Sequence, residues 1–143
     1  MVGPASLWAF EGDWRLERRI EQASGRGHAR LSGRARFLRA GPTLIHEETG
    51  TLSVDGTPGP GMQASRRYLW RVESGWIAIH FDDGRPFHGI PLGVASPEAT
   101  HLCDPDRYEV RYDFTRWPEW RTVWRVTGPR KDYVMTSDLV PDR

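Results

Sequence analysis

Apolar and polar residues alternate with a period of two along most of this chain. From Tyr108 to Phe114, one set reads Tyr108, Val110, Tyr112, Phe114 and the other Glu109, Arg111, Asp113. From Glu119 to Val126, Trp120, Thr122, Trp124 and Val126 stand against Arg121, Val123 and Arg125. Tyr68, Trp70 and Val72 stand against Arg67, Leu69 and Arg71, and Trp14, Leu16 and Ile20 against Arg15, Glu17 and Arg19. Successive side chains of a β-strand point to opposite faces, so this pattern predicts strands with one buried side. Similar segments run near His28–Phe37, Thr43–Val54, Trp76–Phe81, Phe87–Val94, Glu98–Cys103 and Lys131–Val140, giving about ten strands. No segment carries a helical stripe longer than two turns.

Turn formers separate these segments: Gly25-Arg26-Gly27, Gly41-Pro42, Glu73-Ser74-Gly75, Asp82-Asp83-Gly84, Ser96-Pro97, Asp104-Pro105-Asp106 and Gly128-Pro129. Each places a residue that tolerates positive φ, or proline's fixed φ, where the chain must reverse. The longest predicted loop is Asp55–Gly61, "DGTPGPG". Short strands at even spacing predict an all-β, antiparallel up-and-down meander. Such a sheet removes its exposed edges by closing into a barrel, here of about 8–10 strands. One domain, residues 1–143, accounts for the whole sequence, and a chain of this length buries a core without disulfides or metals.

Composition narrows the classes. A net charge of +1, with acids and bases interleaved as in "RYEVRYD", argues against nucleic acid as a partner. One cysteine, Cys103, excludes an intramolecular disulfide. The first residues lack the basic start and apolar run of a signal peptide, and no segment approaches the ~20 apolar residues of a membrane helix. These features predict a soluble, cytoplasmic protein without a membrane partner, as monomer or homodimer. Lys131 is the only lysine among 20 basic residues, and the seven tryptophans are many for 143 residues. Tryptophan fills large cores or lines pockets.

The opening "SLWAFEGDW" adds a further signal. Gly12-Asp13-Trp14, after a short apolar lead-in, resembles the G-x-W start of lipocalins and related calycin barrels. "FDDGRPFH" (Phe81–His88), "HLCDPDRYEVRY" (His101–Tyr112) and "GPRKDY" (Gly128–Tyr133) are together similar to a bacterial lipocalin-like family of unknown function. The resemblance implies a lipocalin-like β-barrel, with the lead-in forming a one-turn helix that plugs one end. It further implies that Trp14 sits at that end with a cation (Arg125, Arg130 or Lys131) stacked on it. It implies no established activity.

Candidate chemistry rests on strand parity. His101 and Cys103 share a face, and a turn near Ala95-Ser96 would bring His88 opposite Cys103. Two histidines and a thiolate could hold zinc or form an activated nucleophile. The plainer reading is barrel wall, with Cys103 as a small hydrophobe, and no H-E-x-x-H or C-x-x-C pattern supports a metal. Arg18 and Arg66 share parity with apolar faces. A buried guanidinium needs an anion, either a protein acid such as Glu48 or a bound carboxylate or phosphate, unless it reaches water at a strand end. A two-residue turn at Gly128-Pro129 would pair Val126 with Lys131 and Trp124 with Tyr133. Lys131 would then be a desolvated nucleophile or the cation on Trp14. Asp82-Asp83-Gly84 reads as a hairpin turn.

Two functional readings follow, with a third beside them. The first is a small-molecule carrier or sensor. Its wall would be Tyr68, Trp70, Tyr108, Tyr112 and Trp124, with Arg18, Arg66, His88, His101 and Cys103 beside an aromatic ligand that carries an acidic head group. The second is an enzyme using His101 or His88 as general base, with Tyr108 or Arg66 stabilising negative charge. The third is a barrel filled by aromatics that serves as an interaction module. Some calycin-like barrels hold haem through histidine, but no feature here selects that or any other cofactor. The inward face near His46 and Glu48 stays undecided, because both parities carry an acid.

Overall fold

All ten predicted strands form, and each predicted turn sits at a strand boundary. The computed structural model describes residues 2–142. A 3₁₀ turn, Leu7–Phe10, precedes β1 (Gly12–Gln22), β2 (Ala29–Ala40), β3 (Thr43–Val54), β4 (Met62–Glu73) and β5 (Trp76–Phe81). Then come β6 (Pro86–Pro91), β7 (Glu98–Cys103), β8 (Asp106–Asp113), β9 (Trp120–Thr127) and β10 (Asp132–Pro141). Every pairing is antiparallel, and the order is β6-β5-β4-β3-β2-β1-β10-β9-β8-β7. The first and last strands therefore pair, Trp14 opposite Pro141 through Gln22 opposite Tyr133. The sheet curls into a nearly closed barrel whose two edges, β6 and β7, are consecutive in sequence.

That seam corrects one expectation. β6 and β7 do not form a hairpin, and His88 does not face Cys103. Cys103 pairs with Asp106 across the β7–β8 turn and is exposed. Pro86 and Pro91 at the ends of β6 cannot donate to a ladder, which suits an edge strand. The connection 92–97 is instead tied to other segments by backbone hydrogen bonds. Gly3 N donates to Gly93 O, Gly93 N to Pro4 O, Tyr112 N to Pro97 O and Phe114 N to Ala95 O, at 2.8–3.1 Å.

The same end of the barrel is closed by the 3₁₀ turn. Leu7 and Phe10 are each 1% exposed. The Phe10 ring lies 5.0–5.9 Å from the rings of Phe37, Trp70, Phe114, Trp117 and Trp120, mostly edge to face. This is the geometry that aromatic quadrupoles favour. Trp14 Nε1 donates to Phe10 O at 2.9 Å, fastening plug to strand. The cation expected on Trp14 is not there: Trp117 and Trp120 pack against it, and among the described residues no guanidinium or ammonium lies over its ring. The cation at the closed end lies instead over the plug's own tryptophan, with the Arg39 guanidinium 3.8 Å from the Trp8 ring.

The last hairpin also differs from its expected register. Four residues, Gly128–Lys131, make the loop, so Val126 pairs with Tyr133 and Trp124 with Met135. Gly128 N donates to Lys131 O at 2.8 Å, and Lys131 stays outside the strand and exposed. Arg125 still reaches Asp132, diagonally, at 2.6 Å. In β2 and β3, Gly33 faces Gly50. A Cβ on Gly33 would run into the Thr49 carbonyl oxygen, so this close approach requires glycine.

Replacing Phe10 by alanine should remove the centre of the plug. The expected loss is about 3–5 kcal/mol, read as a lowered midpoint in urea unfolding. A loss below about 1 kcal/mol would mean that the strands close the barrel without the plug.

Candidate functional site

Above the plug the barrel is hollow. A cavity of about 120 Å³ has Trp70 and Trp120, which pack on Phe10, as its floor. Its walls come from β1, β3, β4, β5, β6, β8, β9 and β10, because the inward parity of each strand points there. The lining residues Arg66, Tyr108 and Tyr133 are also partly solvent-exposed and mark its mouth.

One wall is charged. Arg18 Nη1 and Nη2 donate to Glu48 Oε1 and Oε2 at 3.1 and 2.9 Å, and Nε donates to Ser137 Oγ at 2.7 Å. Both side chains are about nine-tenths buried. Burial alone would raise the Glu48 pKa, but the His46 contact and the Arg18 charge outweigh it and hold the carboxyl well below its usual range. His46 stacks on Phe37 at 4.3 Å, and its Nε2 lies 3.3 Å from Glu48 Oε2, too poorly aligned for a proper hydrogen bond. The undecided face is thereby settled: His46 and Glu48 point inward, and Glu47 is the outer acid, near Arg67.

The facing wall is neutral. His88 Nε2 and the Tyr112 hydroxyl are 2.6 Å apart. Burial, reinforced by the nearby His101, pushes the His88 pKa down to about 3, and burial raises that of Tyr112. Both groups are uncharged at neutral pH. Phe87 and Trp124 stack with centroids 5.1 Å apart and complete this side.

Eight of the ten residues expected around a ligand line the cavity: Arg18, Arg66, Tyr68, Trp70, His88, Tyr108, Tyr112 and Trp124. His101 and Cys103 do not. His101 sits half-buried at the seam, edge-on to Phe81 and Phe87 at 5.7 and 5.1 Å, and Cys103 faces solvent. No cluster of His88, His101 and Cys103 forms, and among the described residues no three metal-binding side chains converge. Arg18 already has its anion in Glu48. Lys131 Nζ donates to the Tyr108 hydroxyl at 2.8 Å and lies 3.0 Å from Asp106, contacts that raise its pKa. It therefore stays an ammonium ion, and the amine-nucleophile reading falls. Arg125 is bound to Asp132, and Arg130 is exposed. Thr122, Tyr133, Met135 and Ser137 also line the cavity, and their inward parity is the signal the sequence offers for them; for His46 parity gave none.

A family model covers residues 10–141 of this sequence. The chain belongs to the family of unknown function DUF6314. Among curated proteins, no sequence matches this member of the DUF6314 family. Its fold is similar to that of the S-type phycobiliprotein lyase CPES from Guillardia theta, with a TM-score of 0.65 and 10% identity over 94% of this chain and 89% of that one. It is also similar to a protein of unknown function from the DUF3598 family of Nostoc punctiforme PCC 73102. There the TM-score is 0.61 with 8% identity, over 96% of this chain and 49% of that one. At these identities the likeness is one of architecture. The DUF6314 chain shares a barrel with both, in keeping with the lipocalin-like form. No helix among its described residues is long and apolar enough to cross a membrane.

Two predictions follow from the charged and neutral walls. Glu48→Gln leaves the Arg18 guanidinium buried without a counter-charge and should cost about 3–5 kcal/mol, against about 0.5 kcal/mol or less for Glu47→Gln, by urea unfolding. His88 stays neutral in the folded DUF6314 barrel down to about pH 3, whereas unfolded it takes up a proton near 6.5. In that window the unfolded state binds more protons, so stability falls as the pH drops, by up to about 1.4 kcal/mol per pH unit. Below about 4.5, where an unfolded glutamate protonates, Glu48 adds to the same trend. His88→Gln should flatten the slope between pH 6.5 and 4.5; an unchanged slope would show that His88 is not the group responsible.

Proposed function

We propose that this protein binds a small aromatic molecule bearing an acidic head group, with the ring held in the barrel cavity. The observation that carries this reading is where the unpartnered polar atoms lie. His46 Nδ1 and Nε2, Trp70 Nε1, His88 Nδ1 and Trp120 Nε1 are buried without a hydrogen-bond partner, and all four residues line the one cavity. Buried polar atoms without partners are costly and rare, and their concentration around a hollow points to a molecule that belongs there. An aromatic wall with a few fixed polar groups is the usual make-up of a ligand pocket.

Size narrows the class. A cavity of about 120 Å³ is close to the roughly 150 Å³ engineered cavity that accepts benzene, and well below the roughly 300 Å³ at which drug-sized pockets begin. A single ring is the natural occupant. The likeness to a phycobiliprotein lyase supports small-molecule binding in general, but a ligand much larger than one ring exceeds this cavity.

Proton-transfer catalysis is less well supported. The bases expected for it were His88 and His101. With a pKa near 3, His88 is a weak base at neutral pH, where efficient general bases have values near the working pH. His101 does not line the cavity. His88 is better suited to holding the Tyr112 hydroxyl in place.

Native mass spectrometry of freshly purified protein, set against the denatured mass, tests the reading together with a tryptophan-fluorescence titration using 3-phenylpropionate. The expected result is a discrete extra mass or saturable binding of one molecule per barrel. At a hundredfold excess over Kd this would add about 2.7 kcal/mol of stability. Thr122→Phe, which fills the cavity, should abolish binding while the far-ultraviolet spectrum stays that of a folded sheet. A bare mass with no saturable quenching would leave the barrel as a scaffold without a ligand.

A further inference from the structure

The cavity has an outer neighbour. A groove of about 410 Å³ lies against the β5–β6 hairpin, lined by Arg66, Tyr68, Phe81, Asp82, Asp83 and Arg85, with Arg67 at its side. Arg66 and Tyr68 line both spaces and form the partition between them. The charges in this groove are unequally matched. Asp83 holds Arg85 at 2.7 Å, and Asp82 lies 3.5 Å from Arg67, which also has Glu47 at 4.0 Å. Arg66 takes part in none of the ion pairs among the described residues. Its cross-strand neighbour is Glu48, whose two oxygens are both bonded to Arg18.

This arrangement gives the acid on a ligand a direction. Inside, an anion would meet the Glu48 carboxylate, and Arg18, the one buried cation lining the cavity among the described residues, is already neutralised by Glu48, with each of its three nitrogens bonded to Glu48 or Ser137. Outside, the guanidinium of Arg66 lies beside the Tyr68 side chain, which raises its pKa, and is paired with no carboxylate among the described residues, so it can take a carboxylate or phosphate through two parallel N–H donors. Within, the Arg18–Glu48 pair is neutral overall and gives an anion no net attraction, whereas Arg66 attracts one at the lip. We infer that the ligand is a two-part molecule. A single ring occupies the barrel cavity, and a short arm passes Tyr68 to place a carboxylate or phosphate on Arg66 in the outer groove. This rests on the ring-binding reading above and specifies the class within it: aryl compounds whose anionic group stands a few bonds away from the ring.

Calorimetric titration of three probes with the same ring tests the inference: 3-phenylpropionate, 3-phenylpropyl phosphate and neutral 3-phenylpropan-1-ol. The wild-type protein should bind at least one anionic probe about tenfold or more tighter than the alcohol, the usual worth of a hydrogen bond to a charged group. The preference should shrink with added salt, and the tighter of the two anions names the head group. In Arg66→Gln the anion-to-alcohol ratio should fall to about one. In Arg111→Gln, an exposed arginine paired with Glu98 and lining neither the cavity nor the groove, the ratio should persist. An alcohol that binds wild type as well as both anions, or an anion preference that survives in Arg66→Gln, would overturn the two-part ligand while leaving ring binding intact. If none of the three binds wild type, ring binding and this inference fall together.

Discussion

Burying Arg18 beside Glu48 takes two charges out of water at a cost of several kcal/mol per ion, and the barrel is organised around offsetting that cost. The bidentate geometry and the third bond to Ser137 engage three of the guanidinium's five N–H donors and tie β1, β3 and β10 together. Such an ion pair is a poor surface for packing aliphatic side chains. The interior therefore stays apolar below, where the aromatics gather on Phe10, and open beside the charges. Glu48 also sets the electrostatic sense of the cavity. Its ionised carboxyl neutralises Arg18, while Arg66, its neighbour across the strand pair, has no carboxylate partner among the described residues.

Closure of the barrel is uneven in a way that matters for access. At the plugged end, backbone hydrogen bonds from Gly3, Gly93, Tyr112 and Phe114 lace the β6–β7 connection to its surroundings. Toward the mouth, β5 and β6 meet β7 and β8 through side chains: the His88–Tyr112 hydrogen bond and the ring contacts of Phe81 and Phe87 with His101. Side-chain contacts between unlaced edges separate at lower cost than a ladder of backbone bonds. Phe87 and His88 of the seam strand β6 also line the cavity, so the seam lies beside it.

Strand parity was legible to a high degree. Trp14, Leu16 and Arg18, then Val110, Tyr112 and Phe114, then Trp120, Thr122, Trp124 and Val126 all face inward as their alternation required. A one-residue slip would turn each set to solvent, so burial enforces the pattern. Eight cavity residues followed from parity alone. The failures have particular causes. His101 and Cys103 share the inward parity of β7, but β7 is an edge strand whose far end runs past the cavity, and parity says nothing about height along a barrel. Lys131 was misplaced because four residues, not two, make the last turn. Arg125, Arg130 and Lys131 were expected on Trp14, where other rings already sit. The seam was signalled by Pro86 and Pro91, which were not read as marks of an edge.

The sequence by itself determined the all-β class, the number of strands, their turns and the inward face of nearly every one, because these depend on local backbone chemistry and on a period of two. Tertiary structure alone decided which strands became neighbours at the seam, that Arg18 would meet Glu48, and that Arg66 would lie beside Tyr68 with no carboxylate partner among the described residues. It also decided that the aromatics would fill only the lower half of the barrel. These outcomes depend on curvature and stagger of the whole sheet, which bring together residues tens of positions apart. No local pattern encodes the height at which two such residues meet.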